Sequence, residues 1–367
     1  MVFVGGLLGK HLAPSPKLAT LPFTALILGT AVATIPAAML MKRVGRKRGS
    51  YVGYGFALLG SFLAIQAALN ASFGLFLSSA FLLGVNLAFA QQFRFAALES
   101  LKDPDDFPMA FSVMMLGGIV SAFIGPEIGL LGKDLIDSPH GYAGSFLLLA
   151  GLILVSMAVF SLFKEPTVSI EKDEAPARSV LEIARNPLFV IAILASGVSF
   201  GVMSFVMTAT PLNMHEICGI DLSSTKRVIQ IHIASMFLPS LFGGWLIKNL
   251  GIGRVLLAGS VVYGSMMAVG LAGQELMHFL GSLILLGVGW NFLFLGGTAL
   301  LPKTYRNSER FKAQASNDFA VFGVQAIASL GAGWFLFEFG WSVLIWACLP
   351  AVAAVGVAGV WLLRKGE

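Results

Sequence analysis

Few residues in this chain can do chemistry, and the ones that can sit in or beside long apolar stretches. Arg94, Glu127, His232 and Asp318 are the ionisable candidates. A charge at the centre of a bilayer costs roughly 2.5–3.5 kcal/mol, so such groups are candidates for coupling or gating. Asn86, Gln91, Trp290, Asn291, Ser199, Met203 and Gln325 add amide, indole, hydroxyl and thioether groups. With little fixed charge among them, they suit a neutral or amphipathic organic solute. No nucleophile–base pair and no metal-ligand spacing can be assembled, so neither an enzyme nor a metal site is expected, and no cofactor is implied. The two Gly-Leu-Leu-Gly-Lys runs, ending at Lys10 and Lys133, lack the spacing and the Ser/Thr of a phosphate loop.

Depth separates these candidates. At about 1.5 Å per residue, Arg94 lies roughly 30 Å along a helix starting near Phe73, close to its far end. There it is placed to pair with Glu99 or the acidic loop that follows. Glu127 lies equally far along a helix starting near Phe107, with Lys133 and Lys17 as possible partners. Asp318 is read at the start of the eleventh span, where the helix dipole favours a carboxylate. His232 is read about one turn into the eighth span, and it titrates near neutrality unless perturbed. Asn86, Trp290 and Asn291 fall near mid-depth, at nearly equivalent places in an internal repeat.

The elements that must position these groups are membrane helices. Of 367 residues, 57% are hydrophobic and 12% charged, and mean hydropathy is +0.85. A soluble domain carries roughly 25% charged residues. A helix needs about 20 apolar residues to cross the hydrocarbon core. That rule gives eleven full spans: 18–41, 51–69, 73–97, 107–132, 142–163, 188–210, 228–247, 255–273, 279–301, 319–337 and 341–363. The runs are continuous rather than alternating, which excludes a β-barrel. Phe76–Val85 (FLSSAFLLGV) and Phe279–Val288 (FLGSLILLGV) match at seven of ten positions, 203 residues apart, and Pro36 and Pro239 keep the same separation. The chain is therefore expected to hold two homologous halves, 1–163 and 187–367, joined by a polar connection over 164–186. The same spacing maps Met1 onto Ser204, so the first helix is expected to be cut short.

Charge sets orientation rather than a nucleic-acid partner. The formal net charge is +5. Eighteen of the 24 Lys and Arg fall on the side that carries Lys42–Arg48, the connection and the C-terminal Arg364 and Lys365. Five fall on the other side (Lys10, Lys17, Lys133, Lys226 and Arg227), and Arg94 is left near a span end. The positive-inside rule then puts the connection and the C-terminus in the cytoplasm of a multi-pass protein of the inner membrane. Cys218 and Cys348 form no disulfide framework.

The loop between the second and third spans reads Ala38-Met-Leu-Met-Lys-Arg-Val-Gly-Arg-Lys-Arg48. It resembles the signature loop of the major facilitator superfamily, G-x-L-x-D-R-x-G-R-R/K, at Leu40, Arg43, Gly45, Arg46 and Lys47. Ala38 stands in the place of the Gly and Lys42 in the place of the Asp. A weaker copy, Gly244-Trp-Leu-Ile-Lys-Asn-Leu-Gly251, follows in the second half. The resemblance implies an all-α membrane protein with two pseudo-symmetric six-helix bundles, here eleven full helices and a partial first one. It also implies a gating latch at Arg43, Gly45 and Arg46. With the Asp missing, Glu99, Asp103, Asp105 and Asp106 are acidic residues near enough in sequence to serve the latch. The family's R-x-x-Q-G signature is lost at Ala80–Gly84. The antiporter motif G-x-x-x-G-P-x-x-G-G is matched in part by Ser121, Gly125, Pro126 and Gly129, which tilts the reading toward export.

The resemblance thus implies a secondary active transporter, a monomer working by alternating access of its two halves on a small molecule, with protons as the expected coupling ion. Uptake of a small metabolite such as a vitamin is the alternative direction. A non-transporting scaffold or sensor on a decayed transporter fold is the rival from another class.

Overall fold

The computed structural model describes residues 2–15, 18, 21–101, 103–164 and 178–366. Lys17, Lys102, Lys172 and most of the polar connection therefore lie outside the described residues. Among the described residues every regular element is a helix. In chain order these are α1 (Val2–Leu12), α2 (Leu21–Val44), α3 (Arg46–Leu69), α4 (Phe73–Gln91), α5 (Phe93–Glu99), α6 (Phe107–Met115), α7 (Gly117–Leu131), α8 (Ala143–Ser161), α9 (Val180–Ile183), α10 (Pro187–Leu212), α11 (Leu222–Phe237), α12 (Ser240–Leu250), α13 (Ile252–Ala272), α14 (Leu276–Leu300), α15 (Arg310–Trp346) and α16 (Leu349–Lys365).

Among the described residues ten helical stretches are long and apolar enough to cross a membrane. The last of them, Asn307–Lys365, is 59 residues long, and Gly340 interrupts it with φ 80° and ψ 172°. One crossing takes about 20 residues. This stretch therefore makes two crossings, and with the nine others the eleven spans read from the sequence are all present. Pro239 splits the eighth span into α11 and α12, whereas its repeat partner Pro36 sits inside the unbroken α2.

By internal contacts the chain divides into two compact units, Met1–Ser100 with Phe123–Ser169, and Leu101–Ala122 with Ile170–Glu367. In the first, α4 packs on α2 and α3, and α3 packs on α8. In the second, α14 packs on α11 and α13, and α13 packs on α16. The two decapeptides lie in α4 and α14, at the centre of the same pattern of neighbours in each unit. Their shared residues do the same jobs: Phe76 and Phe279, Ser79 and Ser282, and Gly84 and Gly287 are all buried. A Cβ on Gly84 would overlap the Leu26 carbonyl of α2, and one on Gly287 would overlap Ser235 Oγ of α11. Glycine at these crossings lets the helix backbones touch.

The short α1 is about 16 Å long, too short to cross the hydrocarbon core. Val4, Leu8 and Leu12, one turn apart, bury against Ala64, Ala67 and Ala68 of α3, Phe76 of α4 and Phe146 of α8.

Candidate functional site

The second unit holds the denser polar cluster. On α14, Trp290 is buried with its ring centroid 5.3 Å from Phe200 of α10, 5.7 Å from Phe237 of α11 and 5.1 Å from Phe294. Phe322 of α15 closes on Phe200 at 5.4 Å. These are the edge-to-face and tilted separations that aromatic rings prefer. Small residues bring the helices to this range: a Cβ on Gly289 would overlap the ring of Tyr263 on α13.

Three hydrogen bonds tie the cluster together. Tyr263 OH donates to the Ser199 carbonyl at 2.9 Å, Ser199 Oγ donates to the Trp290 carbonyl at 3.1 Å, and Gln325 Nε2 donates to Ser204 Oγ at 2.9 Å. Met203, also buried, lies beside Ser204. Asn291 has a structural half and a free half. Its Nδ2 donates to the Met236 carbonyl and to Ser240 Oγ, both at 2.7 Å, at the break where Pro239 interrupts the eighth span. A proline removes a helix hydrogen bond, so a backbone group there needs an outside partner. The Asn291 Oδ1 and the Trp290 Nε1 are buried without a hydrogen-bond partner. Such atoms are uncommon in folded proteins, because an unmet buried donor or acceptor costs roughly 1–3 kcal/mol.

His232 is buried on α11, its Nδ1 2.7 Å from the Leu283 carbonyl within the second decapeptide. A carbonyl only accepts, so the ring carries its proton on Nδ1, and Nε2 is the free acceptor, buried and without a hydrogen-bond partner. α11 begins at Leu222, so His232 lies nearly three turns into its helix rather than one. Asp318 also needs correction. α15 begins at Arg310, so Asp318 is more than two turns inside the helix, where the dipole of the first turn no longer reaches it. It is buried, and Asn317 Nδ2 donates to its Oδ1 at 2.9 Å.

The first unit holds the remaining candidates. Asn86 and Gln91 are half-buried on α4. Arg94 is buried on α5, its guanidinium carbon 4.6 Å from the centroid of the Phe95 ring. Glu99 turns to Arg46: Arg46 Nε and Nη2 donate to its two carboxylate oxygens at 2.7 and 2.5 Å. Arg46 Nη1 also donates to Gln92 Oε1 at 3.1 Å. Gly45 supplies the turn into α3 with φ 87° and ψ 161°, and Gly251 repeats it with φ 81° and ψ 160° ahead of α13. Only glycine adopts such angles without strain. Lys47 Nζ donates to the carbonyls of Ser161 and Phe163, the closing carbonyls of the α8 segment, both at 2.6 Å. Arg43 is exposed at the end of α2. Glu127 is exposed on α7 and pairs with neither Lys133 nor any other described residue.

A family model described as Major Facilitator Superfamily matches residues 1–238. The chain belongs to the Major Facilitator Superfamily. It is 36% identical over 362 residues, 97% of this chain and 89% of the other, to a protein of Brucella anthropi named riboflavin transporter RfnT. It is 29% identical over 341 residues, 86% of this chain and 76% of the other, to the uncharacterised MFS-type transporter YddS of Bacillus subtilis. Among solved structures it resembles the E. coli fucose:proton symporter FucP, with a TM-score of 0.69 and 17% identity over 98% of this chain and 96% of that one. That likeness establishes the facilitator fold. The protein is therefore a multi-pass membrane transporter and not an enzyme.

Several residues central to this facilitator's interior are not apparent from sequence. Tyr263 carries one signal, since a phenol in an apolar span must find a partner. Phe200 carries none, because a phenylalanine in a span looks the same whether it faces lipid or lines an aromatic cluster. Arg178 and Glu309, 131 residues apart, form a bidentate pair in the second unit at 2.8 and 2.7 Å. Nothing local marks either of them.

Proposed function

We propose that this facilitator imports riboflavin or a closely related flat, uncharged heteroaromatic vitamin by alternating access, driven by a proton gradient. The observation that carries the reading is the Trp290 edge of α14. There an indole N–H without a partner sits among phenylalanine rings, and the next residue along the chain holds a buried amide oxygen that also lacks one, in a chain 36% identical to a protein named as a riboflavin transporter. Aromatic faces stack on a flat ring system. A free N–H meets a ring carbonyl, and a free amide oxygen meets an imide N–H. Ser199, Met203 and Gln325 from α10 and α15 are the further groups proposed to meet the solute in the second unit; Asn86 and Gln91 are proposed as solute-contacting groups of the first unit taken by itself.

His232, Asp318, Arg94 and Glu127 are the proposed coupling groups, and Arg43, Gly45 and Arg46 the gate. Export had its support in the partial motif at Ser121–Gly129, and the named relative supports uptake of a vitamin. The excess of Lys and Arg on one side supports a cytoplasmic C-terminus in the inner membrane. The protein is proposed to act as a monomer.

The test is growth and uptake in a bacterial strain that neither makes nor imports riboflavin. Expression of this chain is expected to restore growth on low riboflavin, with accumulation that stops when the proton gradient is collapsed. A membrane-inserted protein that restores neither would overturn the proposal.

A further inference from the structure

A groove of about 420 Å³ runs between α13 and α16 in the second unit, lined by Leu257, Gly356, Val357, Val360, Trp361 and Arg364. Glycines shape it. A Cβ on Gly359 would lie 3.0 Å from the Leu257 nitrogen, and one on Gly356 would lie 2.9 Å from Ser260 Oγ. The two helices therefore touch along this line and leave a furrow beside it. Its apolar wall is bare: Val357 is 70% exposed, and Val360 and Trp361 are also exposed.

One end of the furrow is basic. Arg364 lines it and makes no hydrogen bond or ion pair among the described residues. Lys365 Nζ lies 5.8 Å from the Trp361 ring centroid. Arg254 is three residues before Leu257 on α13, one turn along the same face, and it is exposed with its Nη1 on the Leu250 carbonyl. Neither wall carries an acid, since 248–260 and 356–365 contain no Asp or Glu. An apolar furrow that ends in cations, with no counter-charge among the described residues of its walls, complements one molecule class: an acyl chain attached to an anionic headgroup. A zwitterionic headgroup brings its own cation and leaves these charges unmet.

We propose that the α13–α16 groove binds one anionic phospholipid, with an acyl chain along Leu257, Val357 and Val360 and its phosphate between Arg254 and Arg364. Bidentate guanidinium–phosphate bonds are the strong form of this contact. The site is independent of the transported solute.

The experiment uses the full chain purified in neutral detergent. Dioleoylphosphatidylglycerol, dioleoylphosphatidylcholine or inorganic phosphate is added, and thermal unfolding and lipid-bound mass are read. The expected result is a higher melting temperature and one retained lipid with phosphatidylglycerol alone. The R254Q/R364Q double variant should lose about 30-fold in apparent affinity, from roughly fivefold per cation near an anionic headgroup. V357W, which fills the furrow without touching its charge, should lose the lipid while unfolding at the wild-type temperature in phosphatidylcholine. It reads the same groove if the double variant does not fold. Equal stabilisation by the two lipids, an equal effect of phosphate alone, or undiminished lipid retention in whichever variant folds would each overturn the proposal.

Discussion

Arg46 and Glu99, 53 residues apart, close α3 onto α5 through two hydrogen bonds of 2.7 and 2.5 Å. Their side chains are 5% and 11% exposed. Fork-to-carboxylate geometry is what arginine offers and lysine does not. Removing one partner of a shielded pair strands the other charge, at a cost of roughly 3–5 kcal/mol. E99A and R46A are each expected to lower the detergent-solubilised unfolding temperature strongly, and R46K nearly as much. The double variant should lose less than the sum of the two. A four-way cycle of melting temperatures checks this, and additivity would refute the coupling.

The glycines at the repeat crossings give a second prediction. A Cβ on Gly84 meets backbone, the Leu26 carbonyl, which cannot swing aside. Thr30 Oγ1 lies 3.0 Å from both the Leu26 and the Gly84 carbonyls and marks how close the chains run. G84A is expected to cost about 1–3 kcal/mol as an overpacked contact. G74A, on the same helix with nothing within 4 Å, is the control and should be neutral or slightly stabilising. Yields of folded protein and melting temperatures of the two variants, measured side by side, decide it.

These two contacts show where sequence reading stops. Hydropathy found the crossings seen among the described residues, because it reports the thickness of the bilayer, and the 203-residue spacing found the paired α4 and α14. It misplaced His232 and Asp318 for the same reason. A helix runs on past the hydrocarbon layer, so the polar starts of α11 and α15 look like loop while being helical. The resemblance of the loop to the family signature implied a latch role for Arg46, and four acids stood near enough in sequence to pair with it. Choosing Glu99 among them took the turn at Gln92, which brings α5 round toward α3. The aromatic cluster around Trp290 depends on which face of α10 turns inward, and a helix apolar on all sides carries no such information.

Asp221 gives a pH prediction outside the membrane. It caps α11, its carboxylate accepting from Ser223 Oγ at 2.5 Å and from the Ser224 N–H at 2.9 Å. The Ser223 hydroxyl first, then Ser224, hold its pKa below the ordinary 3.8. A depressed acid stabilises the fold fully above its unfolded value, and that contribution fades as pH falls through the folded value. The melting-temperature gap between wild type and D221A should therefore be constant from pH 7 down to about pH 5 and shrink below 3.8. A gap that widens toward acid would contradict it.

Trp290 separates the stacking and hydrogen-bonding parts of the proposed vitamin site. W290F keeps an aromatic face and loses the N–H, a bond worth about 1 kcal/mol, so riboflavin should bind roughly fivefold more weakly. W290A loses the face as well, and a buried aromatic anchor is worth about 2 kcal/mol or more, so binding should weaken at least about thirtyfold. W334F, at an exposed tryptophan, should bind as wild type does. Anisotropy of riboflavin fluorescence on the purified protein reads all three. If W290F matched wild type while W290A failed, the ring would be a stacking surface alone, and the free indole N–H would need another explanation.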